Sequence, residues 1–124
     1  MPFVIVRTTT PISPEQESAL KSLLGEAITH IPGKSEQGLL LAFEDNCRLW
    51  LAGEHDQPIA YVEASVFANE DHAGYEAFSV LVALAMRDVL GIPAGRTYIR
   101  YADIPVWSVA NMLIDRHMYE GARA

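Results

Sequence analysis

The sequence predicts an α+β fold in which tandem β-α-β repeats form a four-stranded mixed sheet with two helices on one face. Two stretches with apolar residues at helical spacing each stand between β-branched, strand-like runs. Each repeat opens with a proline just ahead of a strand and stops its helix at an Ile-Pro pair, Ile31-Pro32 and then Ile92-Pro93. In the second repeat the run from Ile59 alternates, and this marks one face of the sheet as the buried one.

Phe3-Val4-Ile5-Val6 reads as the first strand, with Pro2 at its head. Proline is tolerated there because the first residue of a strand need not donate a ladder hydrogen bond. A second reading is chemical. Removal of the initiator methionine, usual before a small residue, would leave Pro2 a secondary amine, and an amine can act as a base where an amide nitrogen cannot. In "TTTPISPEQESALKSLLGEAITHIPGK" Ser13 is an N-cap, Pro14 takes the first helical position and Gln16 completes a capping box. Leu20, Leu23, Leu24, Ala27, Ile28 and Ile31 then share one helix face, and Pro32-Gly33 stops the helix. Residues 39–43 (LLLAF) form a buried strand, reached by a connection long enough for a parallel crossover. Residues 47–51 (CRLWL) read as a short antiparallel strand returning through the Glu44-Asp45-Asn46 turn.

The second repeat follows the same plan. Pro58 opens a strand running to about Phe67. The stretch "DHAGYEAFSVLVALAMRDVLGIP" gives a helix with Phe78, Leu81, Val82, Ala85 and Val89 on one side, and Gly91 and Pro93 end it. Residues 96–101 (RTYIRY) return as the last strand. The repeats are thus about 2–45 and 58–104 within a single domain of 1–124, followed by a C-terminal extension. Two helices can cover only one face of the sheet. Ala60, Val62, Ala64, Val66 and Ala68 should meet them. Tyr61, Glu63, Ser65 and Phe67 lie opposite, too mixed for a dry core and too aromatic for plain solvent, which suits a symmetric oligomer interface.

Composition removes several classes of function. Half of the 124 residues are hydrophobic (50%) and 20% are charged, with no apolar run of membrane-spanning length and no signal-peptide pattern, so a cytoplasmic protein without a membrane partner is expected. A net charge of -7 argues against nucleic acid as partner and leaves any anionic substrate to a few local cations. Cys47 is the only cysteine, and His30, His55, His72 and His117 show no ligand spacing, so neither a disulfide nor a metal is expected.

The "MPF" start, "IPGK" at 31–34 and "TYIRYAD" at 97–103, in this order, resemble the tautomerase superfamily, most closely its macrophage migration inhibitory factor or phenylpyruvate tautomerase-like group. The resemblance spans roughly residues 2–111. It implies a homotrimer with active sites between adjacent subunits, no cofactor, and keto–enol tautomerisation of a small 2-oxo acid with Pro2 as catalytic base. It also implies that Lys34 contacts the substrate carboxylate, that the backbone N–H of Phe67 binds a substrate oxygen, that Tyr98 reaches into a neighbouring subunit's site and that Val109 forms an apolar wall. Each has a plainer reading: a solvated loop lysine for Lys34, interface packing for Phe67 and Tyr98. Arg100, two residues from Tyr98 and so on the same face, departs from the asparagine of the family pattern. It fits either a bidentate grip on a carboxylate or an ion pair between subunits. Asn111 falls where the family often has tryptophan, and Ile59-Ala60-Tyr61-Val62 replaces the Cys-x-x-Cys of vertebrate members, so thiol oxidoreductase activity is not expected. The same resemblance admits a dehalogenase or decarboxylase variant, and a trimeric binding or signalling protein with vestigial activity.

Overall fold

The computed structural model describes residues 1–119, so the end of the C-terminal extension, residues 120–124, lies outside the described residues. The chain runs β1 (Pro2–Thr8), α1 (Pro14–Ala27), β2 (Leu40–Glu44), β3 (Ala60–Phe67), α2 (Tyr75–Leu90), β4 (Thr97–Ile104), β5 (Val106–Val109) and β6 (Met112–Asp115). The first four strands form one sheet in the order β2-β1-β3-β4, and β5 and β6 form a separate hairpin. β1 runs parallel to β2, β3 runs parallel to β4, and the two pairs join through an antiparallel β1–β3 ladder. This is the tandem β-α-β arrangement expected from the sequence.

Local chemistry sets the helix ends. Ser13 Oγ accepts from the Gln16 N–H at 3.1 Å while Gln16 Oε1 accepts from the Ser13 N–H at 2.9 Å, closing the capping box. After α1 a 3-10 turn at Ile28–His30 tightens the chain before Pro32. α2 stops at Gly91, whose φ of 71° in the left-handed region suits glycine, and Ile92 N–H then reaches back to the Met86 carbonyl at 3.2 Å. Both helices pack on the sheet face that carries Val4, Val6, Val62 and Val66, all fully buried against Leu20, Leu24, Phe78, Val82 and Met86. The alternation of β3 matches its expected faces: Ala60, Val62, Ala64 and Val66 are buried while Tyr61, Glu63 and Ser65 are half-exposed.

Four local expectations need correction. β2, expected as a buried strand, is the edge strand of the sheet, with no buried residue and Leu40 60% exposed. At the end of β3 the alternation breaks: Phe67 is buried, and Ala68, at φ 54° beyond the strand, is half-exposed. Residues 47–51 form no strand. Cys47 N–H donates to the Thr8 carbonyl, and Leu51 makes only an isolated local bridge to Glu54, so the segment does not pair along the open edge of β2. Leu23, placed on the buried face of α1, is 40% exposed, since the helix turns Leu20, Leu24 and Ala27 inward and leaves Leu23 at the margin. Truncation of the most central aromatic, Phe78→Ala, should destabilise the fold by about 3–5 kcal/mol, seen as a lower urea midpoint with little change in slope.

Candidate functional site

Pro2, Lys34 and Phe67 converge at one end of the sheet. Pro2 is buried and begins β1 opposite Val66 of β3. The N–H of Phe67, the next residue of β3, donates to the Met1 carbonyl at 3.3 Å. The carbonyl of the same Phe67 accepts from Lys34 Nζ at 2.9 Å, and that ammonium lies 5.9 Å from the Phe67 ring centroid. Lys34 is therefore half-buried over the start of the chain and is not a solvated loop lysine. The turn that carries it is anchored by fully buried Ile31, whose carbonyl takes the Lys34 N–H at 3.1 Å, and it closes through Gly33 at φ 75°.

This geometry acts on the chain's amino group. Partial burial, then the charge of Lys34 and its hydrogen bond, pull the Met1 amine down from its ordinary 8.0 to about 6. A neutral amine is a proton acceptor, and here it stands beside a cation and an amide donor.

Tyr98 and Arg100 stand elsewhere. In the β3–β4 register Phe67 pairs with Ile104, whereas Tyr98 pairs with Tyr61 and Arg100 with Glu63. Along a strand that is about 20 Å and about 13 Å from the Phe67 end. Both are exposed on the sheet face away from the helices. On that face Arg7 donates to Glu44 at 2.5 Å and to Glu63 at 3.1 Å. The Glu44 hydrogen bond, opposed by burial and reinforced by Glu63, holds the Arg7 guanidinium still more firmly protonated. Glu63, the register partner of Arg100, is thus already engaged, and among the described residues no side-chain ion pair forms to Arg100. Val109 ends β5 at the hairpin turn and is also exposed. One chain therefore carries Pro2, Lys34 and Phe67 at one end of its sheet, Tyr98 and Arg100 towards the other, and Val109 on the separate hairpin.

Sequence reasoning missed the clasp behind this end of the sheet. Arg116 binds Asp103 at 2.5 Å and also Glu70, and Asp103 accepts from the Asn69 N–H at 2.9 Å. Asp103 near the end of a strand followed by Arg116 beyond the hairpin was the only signal, and strand register alone does not bring them together. No group of three or more His, Cys, Asp or Glu able to hold a metal occurs among the described residues. No described helix is long and apolar enough to cross a membrane.

No protein-family model matches the chain, and no curated protein sequence does. Solved structures do. The fold is that of macrophage migration inhibitory factor and similar structures. Leishmania major MIF2 superposes with a TM-score of 0.82 at 22% identity, over 92% of this chain and 97% of that one. A macrophage migration inhibitory factor homologue from Prochlorococcus marinus gives 0.78 at 23% identity, over 90% and 97% of the two chains. Pt0534, in a structure inactivated by 2-oxo-3-pentynoate, gives 0.79 at 15%, over 94% and 97%. These likenesses are likenesses of fold.

Removing the Lys34 charge should relieve part of the shift at the Met1 amine, burial being its larger cause. In Lys34→Ala its pKa should climb from about 6 back towards the free value, read as the pH dependence of its acetylation by acetic anhydride and quantified by peptide mass spectrometry. An unchanged titration would mean that Lys34 does not act on it.

Proposed function

We propose that the chain is a tautomerase superfamily enzyme, a cofactor-independent keto–enol tautomerase of small, phenylpyruvate-like 2-oxo acids, with Pro2 as general base once Met1 is removed. One observation carries this reading. The Met1 carbonyl oxygen, two bonds from Pro2 N, is held by the Phe67 N–H, while the carbonyl of the same Phe67 holds the Lys34 ammonium. Loss of Met1 vacates that N–H and leaves a secondary amine beside it. A substrate oxygen taking the place of the Met1 carbonyl would then lie next to the base.

The chemistry follows from these groups. Pro2 N takes the proton from the carbon next to the carbonyl, the Phe67 N–H steadies the oxygen on which negative charge grows, and the proton is returned to that oxygen to give the enol. Lys34 has three N–H donors, so it can keep the Phe67 carbonyl and still hold a carboxylate. Inactivation of Pt0534 by 2-oxo-3-pentynoate, itself a 2-oxo acid, supports the substrate class. Tyr98 and Arg100 stand far along the sheet from Pro2, which supports their joining the site from another chain, as in the homotrimer with shared sites that the reading includes; Val109 is its apolar wall. Arg100, which has no side-chain ion pair among the described residues, also favours a second reading, a dehalogenase or decarboxylase variant in which an added guanidinium helps to hold the acid.

Enzyme lacking Met1 should ketonise enol-phenylpyruvate. Pro2→Gly should lower the rate about 10²- to 10⁴-fold, the usual cost of losing a positioned base. Lys34→Ala should raise KM more than it lowers kcat. Unchanged turnover in both variants would overturn the mechanism. Assembly is tested separately by sedimentation: a trimer is expected, and a stable monomer at micromolar concentration would remove the shared site. Arg100→Ala decides its own role, weakening acid binding with the trimer intact if it grips substrate and weakening the trimer if it bridges subunits.

A further inference from the structure

The turn that carries Lys34 rests on residues 68–74, the loop linking Phe67 to α2, and that loop meets the lysine at both ends. At the near end the Phe67 carbonyl holds Nζ at 2.9 Å. At the far end Gly74, at φ +83°, lies against the backbone of His30 and Ile31. A Cβ at Gly74 would overlap the His30 carbonyl oxygen and stand 2.8 Å from Ile31 Cα. Ile31 is the residue whose carbonyl takes the Lys34 N–H, so a shift of backbone at Ile31 is passed on to Lys34.

The loop is built not to yield. Asn69 is 1% exposed and donates through Nδ2 to the Ala73 carbonyl at 3.1 Å, one residue before Gly74. Its own N–H is taken by Asp103 at 2.9 Å, and Asp103 is held by Arg116. The Ala68 N–H donates to the Ile104 carbonyl at 3.2 Å, fixing the other end to β4. Backbone can approach backbone at Gly74 only because that residue has no side chain.

We infer that the 68–74 loop is the positioning element for Lys34: Gly74 sets the seat of the 31–34 turn, the Phe67 carbonyl aims the ammonium, and together they fix where a substrate carboxylate can bind. The inference rests on the reading of Lys34 as the carboxylate anchor. Neither Gly74 nor Asn69 is asked to touch substrate. A substitution at Gly74 also strains the start of α2, so loss of stability alone would say nothing about Lys34.

The test is a double-mutant cycle of Gly74→Ala with Lys34→Ala. Two readouts are taken, the titration of the Met1 amine by acetylation in protein that keeps Met1 and KM for enol-phenylpyruvate in protein that lacks it. Gly74→Ala should push the turn off its seat, raise the amine's pKa as Lys34→Ala does, and raise KM about tenfold with kcat little changed, the scale of one charged hydrogen bond. In the Lys34→Ala background it should add nothing to either readout. Should Gly74→Ala fail to fold, Asn69→Ala, which frees the loop from the Ala73 carbonyl, replaces it in the same cycle. Equal effects with and without Lys34, or an unmoved amine in the folded variant, would overturn the inference. The amine readout needs no turnover, so a protein that ketonises nothing would sink the tautomerase reading and leave the positioning role to be decided by the titration.

Discussion

The antiparallel ladder between β1 and β3 is the constraint on which the rest depends. It joins the two β-α-β units at the centre of the sheet with Val4 opposite Ala64 and Val6 opposite Val62, so the apolar positions of both repeats fall on one face. Each crossover lays its helix on that same face, and α1 and α2 meet over a single core. A slip of one residue would turn Phe3, Ile5 and Arg7 inward, which the core could not accept. The same register places Pro2 beside Val66 and brings the Phe67 amide to the Met1 carbonyl. The candidate site is thus a consequence of the pairing that builds the core.

What was legible in the sequence was what local chemistry decides. The Ser13 capping box, the Gly91 stop and the alternation along β3 each depend on residues close in sequence, and each stands where the pattern put it. Residues 47–51 show how that reasoning fails: the apolar run looks like a strand, but the chain does not turn back along the open edge of β2, and Trp50 is left 64% exposed. The β5–β6 hairpin escaped for a different reason. Its turn uses Ala110 and Asn111, both at positive φ, and without a glycine only Asn111 hints at it. Pro2, Lys34 and Phe67 were legible through motif and order. The distance of Tyr98 and Arg100 from them was not, because it follows from the β3–β4 register.

The face away from the helices is where the proposed assembly would find its contacts. It carries Phe3, Ile5, Tyr61 and Tyr98 next to Arg7, Glu44 and Glu63, partly exposed apolar groups interleaved with charges that largely satisfy one another. Apolar surface of this kind favours removal from water, while the Arg7 ion pairs keep the charges from opposing it. Arg100 is the exception, an exposed guanidinium whose register partner is spoken for. In a chain of net charge -7, a cation so placed is among the few features able to draw an anion to this face.

Lys34 has two tasks on the proposed reading, and they interact. After burial, its charge helps to lower the Met1 amine to about 6, and once Met1 is gone the same charge would disfavour the protonated form of the Pro2 amine. A weak base is readily neutral but accepts a proton with less driving force. When a carboxylate settles on Lys34 it offsets part of that charge, and the field that depressed the amine weakens. The amine then becomes a stronger base while the substrate is bound beside it. On that reading, a lysine aimed by the Phe67 carbonyl would favour a neutral Pro2 amine in the empty site, and the bound acid itself would raise the basicity that removes its proton.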